Sequence, residues 1–236
     1  KAPLTVTAND HTINYGEAPA NNGVTYYGFE GADDASVLSG NLTYTYGTTD
    51  SETFTPYEPG NPVGYYEIIP SGLTSADYAI TFHHGTLTVN PKSITIASVN
   101  VENKEYDGTT EATLSGTFSF NDGMIVGSDD VSISFNGASA VFDNKDAGNG
   151  KEVTVTGLAL TGEKKDNYDL TNPDFTTTGD ITKKDLTVTA NDHTIDYGEE
   201  PDNDGVTYNG FVNGEDENKS NIFGESTLTY AYNKQA

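Results

Sequence analysis

Residues 4–29 read LTVTANDHTINYGEAPANNGVTYYGF, and residues 186–211 read LTVTANDHTIDYGEEPDNDGVTYNGF. At an offset of 182 residues, 21 of these 26 positions are identical. The likeness resumes at Leu42-Thr43-Tyr44-Thr45-Tyr46 and Leu228-Thr229-Tyr230-Ala231-Tyr232, after four extra residues in the later copy. Chance does not produce such a match, so the chain is built by tandem duplication, and the period decides the fold before any single residue does. Inside the repeat, Leu4 and Val6 alternate with Thr5 and Thr7, the period-two signature of a half-buried strand.

The middle of the chain is a more distant copy. Asp77-Tyr78-Ala79-Ile80-Thr81 is echoed by Asn167-Tyr168-Asp169-Leu170-Thr171, and Gly85-Thr86-Leu87-Thr88 by Gly179-Asp180-Ile181-Thr182. Each ending runs into a Lys and a new alternating stretch, Lys92-Ser93-Ile94-Thr95-Ile96 and Lys184-Asp185-Leu186-Thr187-Val188. A Tyr-Gly or Tyr-Asp-Gly follows in every copy: Tyr15-Gly16, Tyr106-Asp107-Gly108 and Tyr197-Gly198. Three units result, 1–91, 92–183 and 184–236, the last matching only the first half of the plan. The junctions Val89-Asn90-Pro91-Lys92 and Ile181-Thr182-Lys183-Lys184 lack a Gly/Ser or Pro-rich spacer, which predicts restricted hinge motion.

Alternation places strands near 4–7, 11–15, 24–27, 42–46, 64–69, 78–82 and 86–89 in the first unit. The middle unit gives strands near 93–101, 111–120, 131–136, 139–143, 152–160, 168–171 and 175–182. Turn chemistry such as Asn21-Asn22-Gly23 and Asn121-Asp122-Gly123 separates them. Only Ala32–Leu38 reads as a helical turn, with Asp33 or Asp34 near its start. The chain is therefore expected to be all-β, a tandem of small two-layer domains. An immunoglobulin-like sandwich is the first choice, and a β-grasp-like sheet with one short helix is the alternative.

Composition narrows the function classes. Thirty-six acids face 11 bases, all of them Lys, for a net charge of −25. Nucleic acid is a poor partner for such a surface, since binding it requires cations that neutralise phosphates. An anionic membrane surface is disfavoured for the same reason. No stretch approaches the ~20 apolar residues of a membrane span. Acidic surfaces keep extended arrays soluble and self-repelling. Cys is absent, which is compatible with any redox compartment. The chain opens at Lys1 inside what reads as a junction, so it is expected to be a piece of a longer protein.

Through Tyr15-Gly16, Gly28-Phe29, Gly64-Tyr65-Tyr66-Glu67-Ile68-Ile69-Pro70-Ser71-Gly72-Leu73-Thr74, Asp77-Tyr78-Ala79-Ile80 and Gly85-Thr86-Leu87-Thr88-Val89, the first unit resembles the MBG domain of bacterial surface proteins. The middle unit is similar to the YDG domain through Lys104, Tyr106-Asp107-Gly108-Thr109-Thr110, Asp129-Asp130-Val131, Val153-Thr154-Val155-Thr156-Gly157-Leu158, Asn167-Tyr168 and Ile181-Thr182-Lys183. The third unit resembles the first half of an MBG domain. These resemblances imply tandem modules of very large secreted or wall-anchored bacterial proteins, adhesin-like ones among them, with no catalytic residues to carry over. The Tyr of each motif is expected to cap a small core.

No catalytic constellation is read. The four His are His11, His83, His84 and His193, and His11 and His193 are repeat equivalents, as scaffold residues would be. His83 and His84, adjacent on a strand, point to opposite faces and make a poor metal pair. Acid pairs are plentiful: Asp33-Asp34, Asp129-Asp130, Asp143/Asp146, Asp166/Asp169, Asp202/Asp204 and Glu215-Asp216-Glu217. Glycoside hydrolysis needs two carboxylates across a cleft, and coincidental pairs abound in so acidic a chain. Asp143-Asn144-Lys145-Asp146 and Asp166-Asn167-Tyr168-Asp169 resemble calcium loops superficially, without EF-hand spacing. A Lys–Asn isopeptide crosslink is excluded within the first unit, which has no Lys between Lys1 and Lys92, and stays formally open in the second.

Tyr26, Tyr27, Tyr44, Tyr46, Tyr65 and Tyr66 could present flat faces to a glycan, but cross-strand packing explains them as well. No catalytic, metal or cofactor residue is assigned. The expected function is a spacer or stalk in a bacterial cell-surface or secreted protein, with a ligand-binding adhesin repeat recognising host glycan or protein as the alternative. In the latter case exposed Tyr or the loops around 30–40 and 212–222 would bind. Partners are neighbouring repeats, and the half unit is expected to pair strands with another chain through its open edge.

Overall fold

The computed structural model describes residues 1–50, 53–217 and 228–233. The described chain is almost entirely strand and turn, as the sequence predicts. Its strands are β1 (Ala2–Ala8), β2 (His11–Asn14), β3 (Val24–Tyr27), β4 (Ser39–Asp50), β5 (Thr53–Pro56), β6 (Gly64–Thr74), β7 (Tyr78–His83), β8 (Gly85–Asn90) and β9 (Lys92–Ile94). There follow β10 (Ile96–Val101), β11 (Lys104–Glu105), β12 (Leu114–Phe120), β13 (Ser132–Ser134), β14 (Ser139–Phe142), β15 (Gly148–Thr156), β16 (Ala159–Thr161), β17 (Tyr168–Leu170), β18 (Phe175–Thr182), β19 (Thr187–Ala190) and β20 (Val206–Asn209). Helix is confined, among the described residues, to two single 3-10 turns, so the α-helix of a grasp-like sheet is not there. One of them, Ala35–Val37, lies where the sequence places a helical turn, and Asp34 caps it by accepting from the Ser36 N–H at 2.8 Å.

Residues form two compact units. The first comprises Lys1–Ser98, Phe118–Asn136 and Leu158–Pro173. It contains a three-stranded sheet, β3-β1-β7, and a five-stranded one, β2-β8-β6-β4-β5. One long pairing runs through both sheets. Ala2 faces Tyr78 in the parallel β1–β7 pair, and His11 faces Leu87 in the parallel β2–β8 pair. The separation is 76 residues in each (78 − 2 and 87 − 11). Where the chains bend from one sheet to the other, the Asp10 carboxylate accepts from the Thr86 N–H at 2.8 Å. Further on, β9 and β17 pair in parallel with Lys92 facing Tyr168, again 76 residues apart (168 − 92). The weak sequence echo between the first two copies is therefore one strand plan used twice.

The alternation of β1 sends Leu4 and Val6 inward, where they pack with Tyr78 and with Val24, Tyr26 and Phe29 around them. A second cluster holds Ile13, Tyr15, Tyr57, Ile68, Leu87, Val89, Ile94 and Tyr168. Each fully buried aliphatic side chain contributes about 1.5–3 kcal/mol to the stability of its cluster. Tyr26 is half-buried and its neighbour Tyr27 is 82 % exposed; Tyr65 is exposed and Tyr66 packs on the core. Tyr44 and Tyr46, two residues apart, both pack inward.

The second unit comprises Val99–Thr117, Gly137–Gly157 and Asp174–Ala236. Its four-stranded sheet has the order β11-β18-β15-β14, with Phe142, Val153, Val155 and Ile181 buried. A separate two-stranded sheet joins β19 and β20. Val188, the counterpart of the fully buried Val6, is 42 % exposed there, because β19 pairs with β20 and, among the described residues, has no counterpart of β7 on its other side.

Two expected strands are divided. The stretch 93–101 breaks into β9 and β10 because the Asn172 side chain takes the place of a strand neighbour. Its Oδ1 accepts from the Ile96 N–H at 2.8 Å and its Nδ2 donates to the Ile96 carbonyl. The stretch 152–160 breaks into β15 and β16 at Gly157, whose N–H goes to the Asp174 carboxylate. The short strands β5 and β11 carry no alternation long enough to be read from sequence.

Candidate functional site

The same four-residue turn occurs three times. Its members are Glu30-Gly31-Ala32-Asp33, Val126-Gly127-Ser128-Asp129 and Val212-Asn213-Gly214-Glu215. In each, the N–H of the fourth residue donates to the carbonyl of the first, at 3.1, 3.1 and 3.0 Å. The second residue is left-handed in all three, with φ of 62°, 56° and 51°. Gly supplies that conformation freely, and Asn is the side chain that tolerates it best. The fourth residue is acidic every time.

Two of the turns are braced from within their own copy. The Tyr78 hydroxyl accepts from the Glu30 N–H at 2.9 Å and donates to Asp33 at 2.6 Å. The Tyr168 hydroxyl accepts from the Val126 N–H at 2.9 Å and donates to Asp129 at 2.6 Å. Tyr78 and Tyr168 are repeat-equivalent Tyr residues, so this brace is part of the plan.

Two of the turns also receive the Tyr-Gly loop of the preceding copy. Within the first unit, the Tyr15 hydroxyl donates to Asp129 at 2.8 Å, onto the same oxygen that Tyr168 uses. The Tyr15 and Tyr168 rings meet edge to face at 5.4 Å. Burial, then the adjacent Asp129 carboxylate, hold the Tyr15 phenol up at about 12. Gly16 lies against Val126 so closely that a Cβ would come within 2.5 Å of its side chain.

Within the second unit, the Tyr106 hydroxyl donates to Glu215, and Gly108 lies against Asn213, where a Cβ would meet that side chain at 2.8 Å. Asn213 adds a hydrogen bond from its amide to the Gly108 carbonyl at 3.1 Å. Lys145 completes this second joint, donating to Glu215 at 2.7 Å while its ammonium sits 5.8 Å from the centre of the Tyr106 ring. The Lys145 ammonium, then the Tyr106 hydroxyl, hold the Glu215 carboxyl below its ordinary range. Its second oxygen, Oε2, is buried without a partner.

A family model described as the MBG domain (YGX type) matches residues 4–88, and one described as the YDG domain matches residues 90–179. The chain carries an MBG domain and a YDG domain in tandem over residues 4–179. No curated protein and no solved structure matches it. The Tyr-Gly of the MBG domain and the Tyr-Asp-Gly of the YDG domain are thus the loops that enter the turn of the next module. Tyr15 does cap a core as expected, and its hydroxyl in addition reaches the next module.

The remaining candidates of the sequence lie apart. His11 opens β2, His83 ends β7, and His84 sits 3.5 Å from Glu67 at the sheet bend. His193 contacts Asp204 at 2.9 Å in the third copy. Among the described residues, no three His, Asp or Glu side chains cluster as metal ligands. In the loop 143–146 of the YDG domain, Lys151 donates to Asn144 Oδ1 at 2.6 Å and pairs with Asp143 at 2.9 Å. Asp166 pairs with Lys165, and the buried Asn167 accepts from the Val63 N–H at 3.0 Å. The acids of Asp202/Asp204 lie in the third copy, outside the three turns. Of the loop 212–222, residues 218–222 lie outside the described residues.

Sequence reasoning treats Asp33, Asp129 and Glu215 as members of coincidental acid pairs. A shared phase in the repeat singles out Asp33 and Glu215, and Asp129 falls outside it. Asp33 and Glu215 each come six residues after a strand, β3 (33 − 27) and β20 (215 − 209), and Asp129 comes nine after β12 (129 − 120).

Proposed function

We propose that this chain is a non-catalytic spacer segment of a bacterial cell-surface or secreted protein, built to hold successive modules against one another. The observation that carries the reading is the joint made twice. A Tyr hydroxyl from one module meets a carboxylate held in the turn of the next, and a Gly lets the two loops touch. Such joints restrict rotation between modules linked by short junctions, which is what a projecting segment requires. The acidic surface, at −25, favours solubility and discourages lateral clumping. In this reading Asp33, Asp129 and Glu215 serve as structural acceptors for Tyr hydroxyls.

A binding screen of the 236-residue chain against glycans and extracellular matrix proteins tests this reading. No saturable binding is expected. Reproducible, saturable binding that is lost on replacing the exposed Tyr27 or Tyr65 by Ala would overturn it in favour of a ligand-binding adhesin repeat.

A further inference from the structure

The three turns share one build, yet among the described residues only two receive a Tyr-Gly or Tyr-Asp-Gly loop. Asp129 and Glu215 are half-buried beneath the Tyr15 and Tyr106 loops, whereas Asp33 is exposed. We propose that the turn Glu30-Gly31-Ala32-Asp33 is a docking socket for the Tyr-Gly or Tyr-Asp-Gly loop of a further module of this kind.

The socket is already formed. Tyr78 braces it by the same two hydrogen bonds with which Tyr168 braces the occupied turn at Asp129, with lengths that agree at 2.9 and 2.6 Å. The left-handed second residue and the closing turn bond are shared as well. Asp33 stands at the place of Glu215 at the same offset of 182 that relates the two MBG copies (215 − 33). A carboxylate held in this way accepts a further hydroxyl at little cost in ordering. At the first position Glu30 stands where the occupied turns carry Val126 and Val212, and its methylene stem can take their place against an entering Gly.

Among the described residues, one such loop enters no turn. Tyr197-Gly198 repeats Tyr15-Gly16, yet Tyr197 is fully exposed and Gly198 has open space where a Cβ would be. Burial of the Tyr and crowding of the Gly therefore accompany occupation of a socket, as seen at Gly16 and Gly108. The inference rests on the spacer reading for the purpose of the joint, but its test reads docking alone.

Fusing a second copy of residues 92–182 to the N-terminus of the full chain, directly before Lys1, reproduces the observed Thr182–Lys183 junction. It brings a Tyr-Asp-Gly loop to the Asp33 turn. Carbodiimide labelling of carboxyl groups, read by peptide mass spectrometry, then reports each acid. Asp33 should label readily in the 236-residue chain and severalfold more slowly in the extended one. Labelling should return when Tyr106 of the added copy is changed to Ala. Asp129 and Glu215 in the same molecule serve as folded controls. A second extension, residues 2–91 fused directly before Ala2, offers the Tyr-Gly loop instead and answers the question if the first extended chain does not fold. Unchanged labelling of Asp33 in a folded extended chain of either kind, with the controls protected in both, would overturn the proposal. Glycan binding by the chain would overturn the spacer reading without touching this result.

Discussion

The hydroxyl of Tyr15 donates to the carboxylate of Asp129 at 2.8 Å, across 114 residues of chain. A hydrogen bond to a charged acceptor in a half-buried setting is worth about 1.5–3 kcal/mol. Tyr15→Phe should therefore lower the unfolding free energy by about 1–2 kcal/mol, the ring being kept. Tyr168→Phe should cost at least as much, because it removes the brace of the turn. Since both hydroxyls share one oxygen, the double variant should be non-additive. Urea titration of the four proteins checks this; strict additivity would mean that the two hydroxyls do not act on a common group.

Gly16 and Gly198 are repeat equivalents, with φ of 87° and 98°, so an Ala at either is strained alike. They differ in what a Cβ meets: the Val126 side chain at 2.5 Å in the first case, open space in the second. Gly16→Ala should accordingly cost about 1–3 kcal/mol more than Gly198→Ala, the range for forcing a methyl into a packed contact. Thermal unfolding of the two single variants measures the difference, and equal losses would remove the packed joint from the explanation.

The joints respond to pH in opposite directions. Burial, then Asp129, raise the Tyr15 phenol from 10.0 to about 12, so its neutral form is favoured in the folded chain. Its contribution is complete below about pH 10 and is lost as pH rises through about 12. Glu215 lies below its ordinary 4.5 through Lys145 and then Tyr106, so its contribution is present above pH 4.5 and is lost as the pH falls below that. The stability difference between the parent chain and Tyr15→Phe should shrink on the alkaline side. The difference from Glu215→Gln should shrink on the acid side. Denaturation midpoints across pH measure both, and a constant difference in either series contradicts the assignment.

The loop around Asn144 brings together an amine, an amide and a carboxylate, the groups of an isopeptide crosslink. Lys151 pairs with Asp143 at 2.9 Å, and that carboxylate, 44 % exposed, is not the buried acid that such a crosslink needs beside it. Intact mass should match the sequence without loss of ammonia. The same ion pair occupies the oxygens that a calcium ion would use. The melting temperature should therefore be the same in chelator and in excess calcium. A missing ammonia or a calcium-dependent shift would give this loop a chemistry beyond its ion pairs.

Much of the fold was legible because one rule, alternation, governs most of it. Leu4 and Val6 in β1 and the Tyr26/Tyr27 pair behave as period two requires. The breaks at Thr95 and Gly157 escaped because they are made by Asn172 and Asp174, an amide and an acid from a distant loop that carry no local pattern. The joints escaped for a related reason. Their hydrogen bonds link residues 109 and 114 apart, and their acceptors sit in turns that share a shape but hardly a sequence. Glu30-Gly-Ala-Asp and Val212-Asn-Gly-Glu have no residue in common at equivalent places, yet the same left-handed second residue and the same turn bond. What was legible of the site was the Tyr-Gly half of each joint, for which sequence assigned a core role and the structure adds a partner.

The claim that the Tyr–carboxylate joint fixes successive modules is tested most directly by residual dipolar couplings in the first unit. A single alignment tensor should fit the MBG domain, 4–88, together with residues 118–136 and 158–173 of the YDG domain. In Tyr15→Ala the two sets should need separate tensors. Two independent tensors in the parent chain, or one tensor that survives Tyr15→Ala unchanged, would contradict it.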